Sequence, residues 1–415
     1  MTYYRFPDTK LWKIGIFLYL YALQAVARNT MYTNVFLGFY KAQVIMLLLV
    51  AVGGLAFLIV NRRNLRQIVT DRRVAVALIY AAVILLPMII KQDWQMMYGS
   101  ILLYILFAVF LSYFLTVQEA AGHYVALITA VSLLTLLAQF VLKPMTDAGF
   151  LPAFPFKSAG GWDMYNFGLT FACNFNEHGA PTFRTFGIFR EPGLYQIFLF
   201  IAIQLNNDVV RWKQEWKMWA VNAVLFVALL VTFATGGVLA LGLYIVFLFF
   251  DKGLYRNRKL QILAVAAVAA GIAAIVVALI RGGTWAYELV GMVEKIYKQT
   301  DSYTSRVDSI FMDAKIFLQH PIVGAPMQEV MYSVPNNTAT SPILFASFGI
   351  LGGILHVLSW AALAWKKERH WIMNLILMVI IFVPFNTQNV MGDMFFWMFP
   401  MMALTEKILT RKQVA

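Results

Sequence analysis

The 415-residue chain is too apolar for an ordinary soluble protein, because 61% of its residues are hydrophobic and 13% are charged, about half the charged fraction of typical soluble domains. Its formal net charge of +13 does not indicate nucleic-acid binding, since the basic residues are dispersed in short segments between apolar runs. The single cysteine, Cys173, excludes an intrachain disulfide framework, and no Cys/His cluster has zinc-ligand spacing.

Twelve apolar runs are long enough to cross the hydrocarbon core of a lipid bilayer, which needs about 20 residues per helix. The first ends in Ala25-Val26-Ala27, which resembles a signal-peptidase site, but the spans that follow at once favour an uncleaved first helix. The whole chain, residues 1–415, is therefore predicted to be one all-α, polytopic transmembrane domain. The twelve runs lie near residues 11–28, 35–60, 74–90, 98–117, 124–142, 187–206, 218–234, 236–250, 261–280, 343–364, 371–387 and 391–407.

The distribution of basic residues orients these spans. Most of the 33 Lys and Arg residues fall in alternate connecting segments, and the positive-inside rule places such segments on the cytoplasmic side. Both termini are therefore predicted to be cytoplasmic. The inner connection 117–124, which contains His123, carries none of these basic residues. Two long segments, 143–186 and 281–342, lie outside, and loops of this length are usually functional.

The two outer loops differ in character. The first is rich in glycine, proline and aromatic residues, so we expect it to form an irregular cover. In the second, apolar residues recur at helical spacing from about 303 to 319, which predicts an amphipathic helix that ends before His320-Pro321. Aromatic residues in the loops, Trp162 among them, are suited to stacking on sugars, although an interfacial aromatic belt explains them equally well.

The most informative stretch surrounds the Glu191-Pro192 pair. Pro192 disfavours helical backbone at Glu191 and suits the first turn of a following helix. A helix from Pro192 to Asn206 would be about 22 Å long, which is too short for a full crossing. Arg190 and Glu191 should then lie below the outer surface on non-helical backbone, which is tolerated only against protein or a water-filled cavity. A pocket is therefore expected here.

The electrostatics of this pocket favour an anion. Arg190 is permanently charged, and the helix beginning at Pro192 directs its positive dipole end towards the same place. The alternative is that Arg190 and Glu191 pair with each other or with neighbouring helices as a packing device. Arg306, at the start of the predicted amphipathic helix, could bring a second guanidinium to the same anion. Alternatively, Arg306 is simply a solvated arginine on the surface of that helix.

Two stretches resemble the O-antigen polymerase and ligase superfamily of bacterial polysaccharide assembly. The segment from Arg184 to Gly193, Arg-Thr-Phe-Gly-Ile-Phe-Arg-Glu-Pro-Gly, is similar to that family's motif of a basic residue, a glycine and a Glu-Pro pair at the outer end of a central helix. The segment from Ser305 to Gly324 is similar to its second signature, an arginine followed by a helix and a His-Pro-x-x-Gly turn. The resemblance covers roughly residues 180–400.

This resemblance implies a GT-C-like membrane glycosyltransferase that uses an undecaprenyl-diphosphate-linked oligosaccharide as donor and needs neither a metal nor another cofactor. The family's essential arginines correspond to Arg190 and Arg306, which we expect to be catalytic, with Arg184 as a further candidate. An inverting displacement also needs a base for the acceptor hydroxyl, and Glu191 is the nearest carboxylate. Further contacts with the diphosphate or the glycan are expected from His320, Asn336 and Asn337.

Ligases of this superfamily carry a His-containing motif just before the helix that follows the second outer loop, whereas residues 335–342 contain no His. The chain is therefore expected to be a polysaccharide polymerase at the outer face of a bacterial cytoplasmic membrane, with a chain-length regulator and a flippase as protein partners. Two alternatives stay open, a ligase that uses a different acceptor and a flippase or transporter for lipid-linked sugars. A transporter would be expected to have charges or broken helices near the midplane.

Overall fold

A computed structural model describes residues 9–60, 71–152, 154–158, 160–297, 301–335 and 337–410. The fold is mostly helical, and each of the twelve predicted apolar runs contains a helix. Short π-helical stretches and one 3-10 turn occur at Tyr32–Leu37, Ala138–Leu142 and Leu254–Arg256. In chain order the α-helices are α1 Lys10–Ala25, α2 Phe39–Val60, α3 Arg72–Ile90, α4 Met96–Leu111, α5 Val117–Leu137, α6 Lys143–Asp147, α7 Pro192–Asp208, α8 Glu215–Leu230, α9 Thr235–Asp251, α10 Arg258–Arg281, α11 Thr284–Tyr297, α12 Asp301–Gln319, α13 Met327–Met331, α14 Thr340–Ala364, α15 Trp371–Phe385 and α16 Met394–Thr410.

The surface and interior have the distribution expected of a helical membrane protein. Large apolar side chains such as Ile59 are exposed, whereas Asn206 and Asn222 are buried and bonded to each other at 2.8 Å. Such a surface suits a lipid solvent, and a buried polar pair suits the interior of a helix bundle. Three stretches in the described part of the chain are long and apolar enough to cross a membrane: Arg72–Ile90, Val117–Asp147 and Thr340–Ala364.

Helix α7 occupies the centre of the bundle. Nearly all of its residues are buried, and it packs between α5 and α8. A helix that is apolar on all sides must be enclosed by other helices, which is the position α7 takes. The Arg190-Glu191 segment that precedes α7 is therefore attached to a deeply enclosed helix.

The predicted inner connection 117–124 is wrong, because α5 begins at Val117 and contains His123. Thr116 caps this helix: its Oγ1 accepts from Glu119 N at 3.1 Å, and Glu119 Oε2 accepts from Thr116 N at 2.8 Å. This reciprocal capping box is a strong helix-start signal. The Thr-x-x-Glu sequence could therefore have placed the boundary correctly.

The first outer loop is not irregular throughout, and the all-α prediction is wrong for it. Three short antiparallel strands form a sheet in the order β1-β2-β3, and they are β1 Pro155–Lys157, β2 Asp163–Asn166 and β3 Phe171–Phe175. The Gln139 side chain holds β3, since its amide donates to Cys173 O at 2.9 Å and accepts from Cys173 N at 2.8 Å. One buried amide thus satisfies both backbone groups of a strand residue.

The second outer segment contains α11, α12 and α13, and α12 begins two residues before the predicted amphipathic helix. The turn after α12 fits into a break in α14 at Gly349, whose φ of 63° and ψ of −165° are not helical. The turn supplies partners for the broken helix: Ile350 N donates to Pro321 O at 2.7 Å, and Ala325 N donates to Ala346 O at 2.8 Å. The His-Pro-x-x-Gly turn is therefore an anchor that fixes α12 to α14.

We predict that Gly349→Ala lowers the thermal stability of the purified protein. Only glycine adopts this backbone conformation at low cost, and strain of this kind costs about 1 to 3 kcal/mol. A Cβ at this position would also overlap the Ile322 carbonyl. The measurement is thermal unfolding in detergent. Gly242→Ala in α9 is the matched control, because a Cβ there meets nothing within 4 Å. Equal melting temperatures for the two variants would contradict the anchoring role.

Candidate functional site

The segment that precedes α7 has extended backbone. Glu191, the last residue before the helix, has φ −147° and ψ 148°. Buried backbone groups outside a helix need partners, and the connection after α1 supplies them. Met31 N donates to Ile188 O at 2.8 Å, and Arg190 N donates to Asn29 O at 3.0 Å. The two segments therefore form a short antiparallel bridge at the expected helix start.

Gly187 lets the extended segment turn close to the start of α7. Its φ is +59°, a conformation that other residues rarely adopt, and a Cβ there would lie 3.0 Å from the ring of Tyr195. The Tyr195 ring stacks on Phe189 with centroids 5.5 Å apart, and its hydroxyl oxygen lies 2.9 Å from Ser132 Oγ. This packing fixes the direction in which the chain presents Arg190.

Arg190, Glu191 and Arg306 line one cavity of about 870 Å³, which we call the arginine cavity. A third arginine, Arg28, lines it as well. The sequence motifs do not include Arg28, because it lies in the connection after α1, far from α7 in the chain. The sequence does contain a signal for Arg28, since a basic residue at the predicted outer end of the first span departs from the positive-inside rule.

The Arg190–Glu191 pair remains open to the arginine cavity. Arg190 Nε lies 3.5 Å from Glu191 Oε1, and the two side chains are 36% and 40% exposed. Arg306 Nε donates to Thr387 O at 3.1 Å, which holds its guanidinium against the connection between α15 and α16. Arg190 and Glu191 are therefore adjacent, as the packing alternative requires, yet their contact does not enclose either group.

The connection between α15 and α16 also contributes Gln388, a site residue that no sequence pattern reveals. Gln388 Nε2 donates to Glu191 Oε2 at 3.3 Å, and Thr340 Oγ1 fixes Gln388 by donating to its carbonyl at 2.7 Å. A Cβ on Gly193, the last residue of the motif, would lie 2.6 Å from Gln388 Nε2. A side chain at Gly193 would therefore displace the amide that holds Glu191.

Among the described residues, two buried hydrogen-bond donors at the arginine cavity have no protein partner. Asn29 Nδ2 and Thr338 Oγ1 are buried and make no hydrogen bond within the described residues, while Arg190 Nε has only the 3.5 Å ion-pair contact with Glu191. Buried donors without partners are rare and indicate a missing water, ion or ligand. Two such donors beside three arginines, with Glu191 as the one carboxylate among the described residues of this lining, make a site suited to an anion with several oxygens.

The arginines also perturb one another. Burial and the nearby Arg190 guanidinium lower the pKa of Arg28. Burial likewise lowers the pKa of Arg306, against the opposing effect of the Glu191 carboxylate. Arginine stays protonated in either case, so the lowered pKa values indicate that both guanidinium groups lie in a poorly hydrated place, and that Arg28 is close enough to Arg190 to be repelled by it. An anionic ligand would relieve this repulsion.

Arg184 does not line the arginine cavity. Its Nε lies 2.8 Å from Glu288 Oε2, and its Nη2 donates to Phe233 O at 2.9 Å. Glu288 also accepts a short hydrogen bond from Thr182 Oγ1. The Arg184 guanidinium is thereby paired with a buried carboxylate, and it borders a neighbouring cavity of about 400 Å³. Its contacts tie the motif to α11.

The three remaining predicted residues have different positions. Asn337 lines the arginine cavity, and its amide donates to Asp313 Oδ1 at 2.8 Å and to Val330 O at 2.9 Å. Asn336 lies outside the described residues. His320 follows the end of α12 and lines neither the arginine cavity nor its neighbour. The structure thus brings Asn337 to Arg190 and Arg306, but not His320.

No family model, curated protein or solved structure matches this chain. Within the described residues, no group of three or more His, Cys, Asp or Glu side chains is arranged to hold a metal ion.

We predict that inorganic diphosphate raises the melting temperature of the purified protein and that Arg28→Gln and Arg190→Gln reduce this shift. Each substitution removes a permanent charge from the arginine cavity while keeping a polar side chain that can still form hydrogen bonds. The shift should also decrease with added salt, because screening weakens ionic contacts. Arg281→Gln is the control, since Arg281 is exposed at the end of α10 and lines neither cavity. A full diphosphate shift in Arg28→Gln would remove Arg28 from the anion site.

We also predict that the protein loses stability as the pH rises from about 4 to 7, because Asp313 is buried. Its Oδ2 has no hydrogen-bond partner within the described residues, and burial raises its pKa from 3.8 to about 7. The folded protein therefore binds this proton more tightly than the unfolded chain, and each pKa unit corresponds to about 1.4 kcal/mol. Asp313→Asn should flatten the pH profile of the melting temperature and be the more stable form at pH 8. An unchanged profile would contradict this role.

Proposed function

We propose that this protein is a polysaccharide polymerase of the O-antigen polymerase and ligase superfamily. It transfers an undecaprenyl-diphosphate-linked glycan onto another lipid-linked repeat unit at the outer face of a bacterial cytoplasmic membrane. One observation carries the proposal: Arg28, Arg190 and Arg306 come from three distant parts of the chain and line one cavity at the start of α7. A diphosphate between a lipid and a glycan is an anion of the size and charge that such a site fits.

The distribution of cavities supports a GT-C-like bundle of twelve spans with both termini cytoplasmic. Every segment that lines the arginine cavity is, by that topology, an outer connection or the outer end of a helix. Predicted inner connections meet at a different cavity of about 670 Å³, whose lining includes Thr116, Asp208, Lys366 and Lys407. If each span crosses the membrane once in alternating direction, the outer connections meet at one end of the bundle and the inner connections at the other.

In the proposed reaction, the acceptor hydroxyl oxygen attacks the anomeric carbon of the donor sugar. The bond from this carbon to the diphosphate oxygen breaks, and its electron pair leaves with the diphosphate. Arg28, Arg190 and Arg306 stabilise the charge that develops on this leaving group, which is electrostatic catalysis by preorganised groups. The hydroxyl proton passes to the Glu191 carboxylate, which acts as general base. Gln388 orients that carboxylate through its 3.3 Å hydrogen bond.

We predict that purified protein given one lipid-diphosphate-linked repeat unit produces a ladder of longer lipid-linked glycans and releases undecaprenyl diphosphate. Arg190→Ala and Arg306→Ala should each abolish the ladder, and lysine at either position should restore little activity, because it lacks the planar guanidinium. Glu191→Gln should bind substrate but elongate more slowly by 10²-fold or more, on the order expected for a lost general base. The measurement is gel or mass analysis of the products over time.

Arg281→Ala is the matched control and should elongate at the normal rate. A normal ladder from Arg190→Ala or Arg306→Ala would assign that residue to packing. A ligase would form product only after a second acceptor is added, and a transporter would move the substrate without changing its mass. Either result would replace the polymerase assignment.

A further inference from the structure

A second cavity adjoins the arginine cavity. It measures about 400 Å³, and Glu191, Arg306 and Gln388 line both cavities. The first outer loop and the start of α9 also line the second cavity. Two compartments that share one carboxylate and one arginine are suited to a reaction between two ligands.

The two cavities differ in charge. Among the described residues, Arg28, Arg190 and Arg306 share the arginine cavity with a single carboxylate, Glu191. In the second cavity, two arginines face two carboxylates, and the Arg184 guanidinium is already paired with Glu288 at 2.8 Å. The arginine cavity therefore favours an anion, whereas the second cavity has no excess of arginines over carboxylates and suits a ligand without negative charge.

An aromatic ring forms part of the second cavity. The Trp162 side chain is half-buried there, between β1 and β2 in the chain. An edge contact with Phe186, with ring centroids 5.1 Å apart, holds the Trp162 ring, and the Arg184 guanidinium lies 5.9 Å from it. A partly exposed, fixed ring offers an apolar surface for the C–H face of a sugar, while neighbouring polar groups meet its hydroxyls.

The second cavity also contains an unpartnered hydroxyl. Thr235 Oγ1, at the start of α9, is buried and makes no hydrogen bond within the described residues. A buried hydroxyl of this kind needs a ligand or a water molecule to satisfy it. Glu177 and Gln388 add polar groups to the same lining, so a ring with several hydroxyls would find both stacking and hydrogen-bonding partners.

We infer that the second cavity binds the terminal sugar of the acceptor glycan, an uncharged pyranose, by stacking on Trp162 and by a hydrogen bond with Thr235. This inference rests on the proposed function and divides its site between two substrates. The donor diphosphate occupies the arginine cavity, the acceptor sugar occupies the second cavity, and Glu191 lies in the wall they share. The acceptor hydroxyl is thereby placed beside the carboxylate that takes its proton.

The test uses two probes, undecaprenyl diphosphate and the oligosaccharide repeat unit released from its lipid by mild acid. The free oligosaccharide has no diphosphate for the arginine cavity, and the difference between wild type and second-cavity variants in a saturation-transfer NMR titration reports on the second cavity. Thr235→Val keeps the side-chain shape but removes the hydroxyl, and we expect it to weaken oligosaccharide binding about tenfold, the effect of one lost hydrogen bond. Trp162→Ala should weaken it at least as much. The affinity for undecaprenyl diphosphate should change less than twofold in both the Thr235→Val and the Trp162→Ala variants.

Matched controls distinguish the sugar site from a loss of folding. Thr235→Ser retains the hydroxyl and should bind the oligosaccharide normally, as should Trp216→Ala, which removes an exposed tryptophan on α8. If wild type and Thr235→Val bind the oligosaccharide equally, or if wild type does not bind it while still producing a glycan ladder, the sugar site is wrong and the polymerase stands. If wild type neither binds undecaprenyl diphosphate nor makes a ladder, the proposed function fails and this inference fails with it.

Discussion

The site depends on the pairing of buried backbone groups in the extended segment before α7. Inside an apolar bundle, each unpaired N–H or C=O group costs several kcal/mol, so a segment that is not helical must find partners in neighbouring chains. Asn29 and Met31 bond to it on one side, and Val231 O accepts from Thr185 N at 3.1 Å on the other. These bonds hold the connections after α1 and α8 against the motif, and the first of them brings Arg28 to the arginine cavity.

Charge is divided unequally around that segment. The bundle pairs Arg184 with the buried carboxylate of Glu288, which removes one guanidinium from ligand binding and uses it to tie the motif to α11. In the arginine cavity, the three positive charges of Arg28, Arg190 and Arg306 exceed the one negative charge of Glu191. Assembling such a cluster away from bulk water is unfavourable, so it is expected only where an anionic ligand offsets the repulsion.

Arg306 reaches the site because α12 is fixed at its far end. The turn after α12 seats Gly324 against the Ser347 carbonyl, and Gly349 approaches the Ile322 carbonyl in return. Neither approach leaves room for a Cβ, and both glycines have positive φ. A helix anchored at one end by such backbone contacts places the arginine near its other end reproducibly.

The sequence by itself determined the features that depend on local spacing: twelve helical runs, the start of α7 at Pro192 and the amphipathic α12. Hydrophobic period and proline geometry act over a few residues, so they can be read along the chain. Only the tertiary structure decided that Arg28 joins Arg190, that Arg184 is paired with Glu288, and that the first outer loop forms a sheet on Gln139. Those outcomes depend on contacts between residues distant in sequence. The packing of the helices determines which buried polar groups lie close enough to bond to each other.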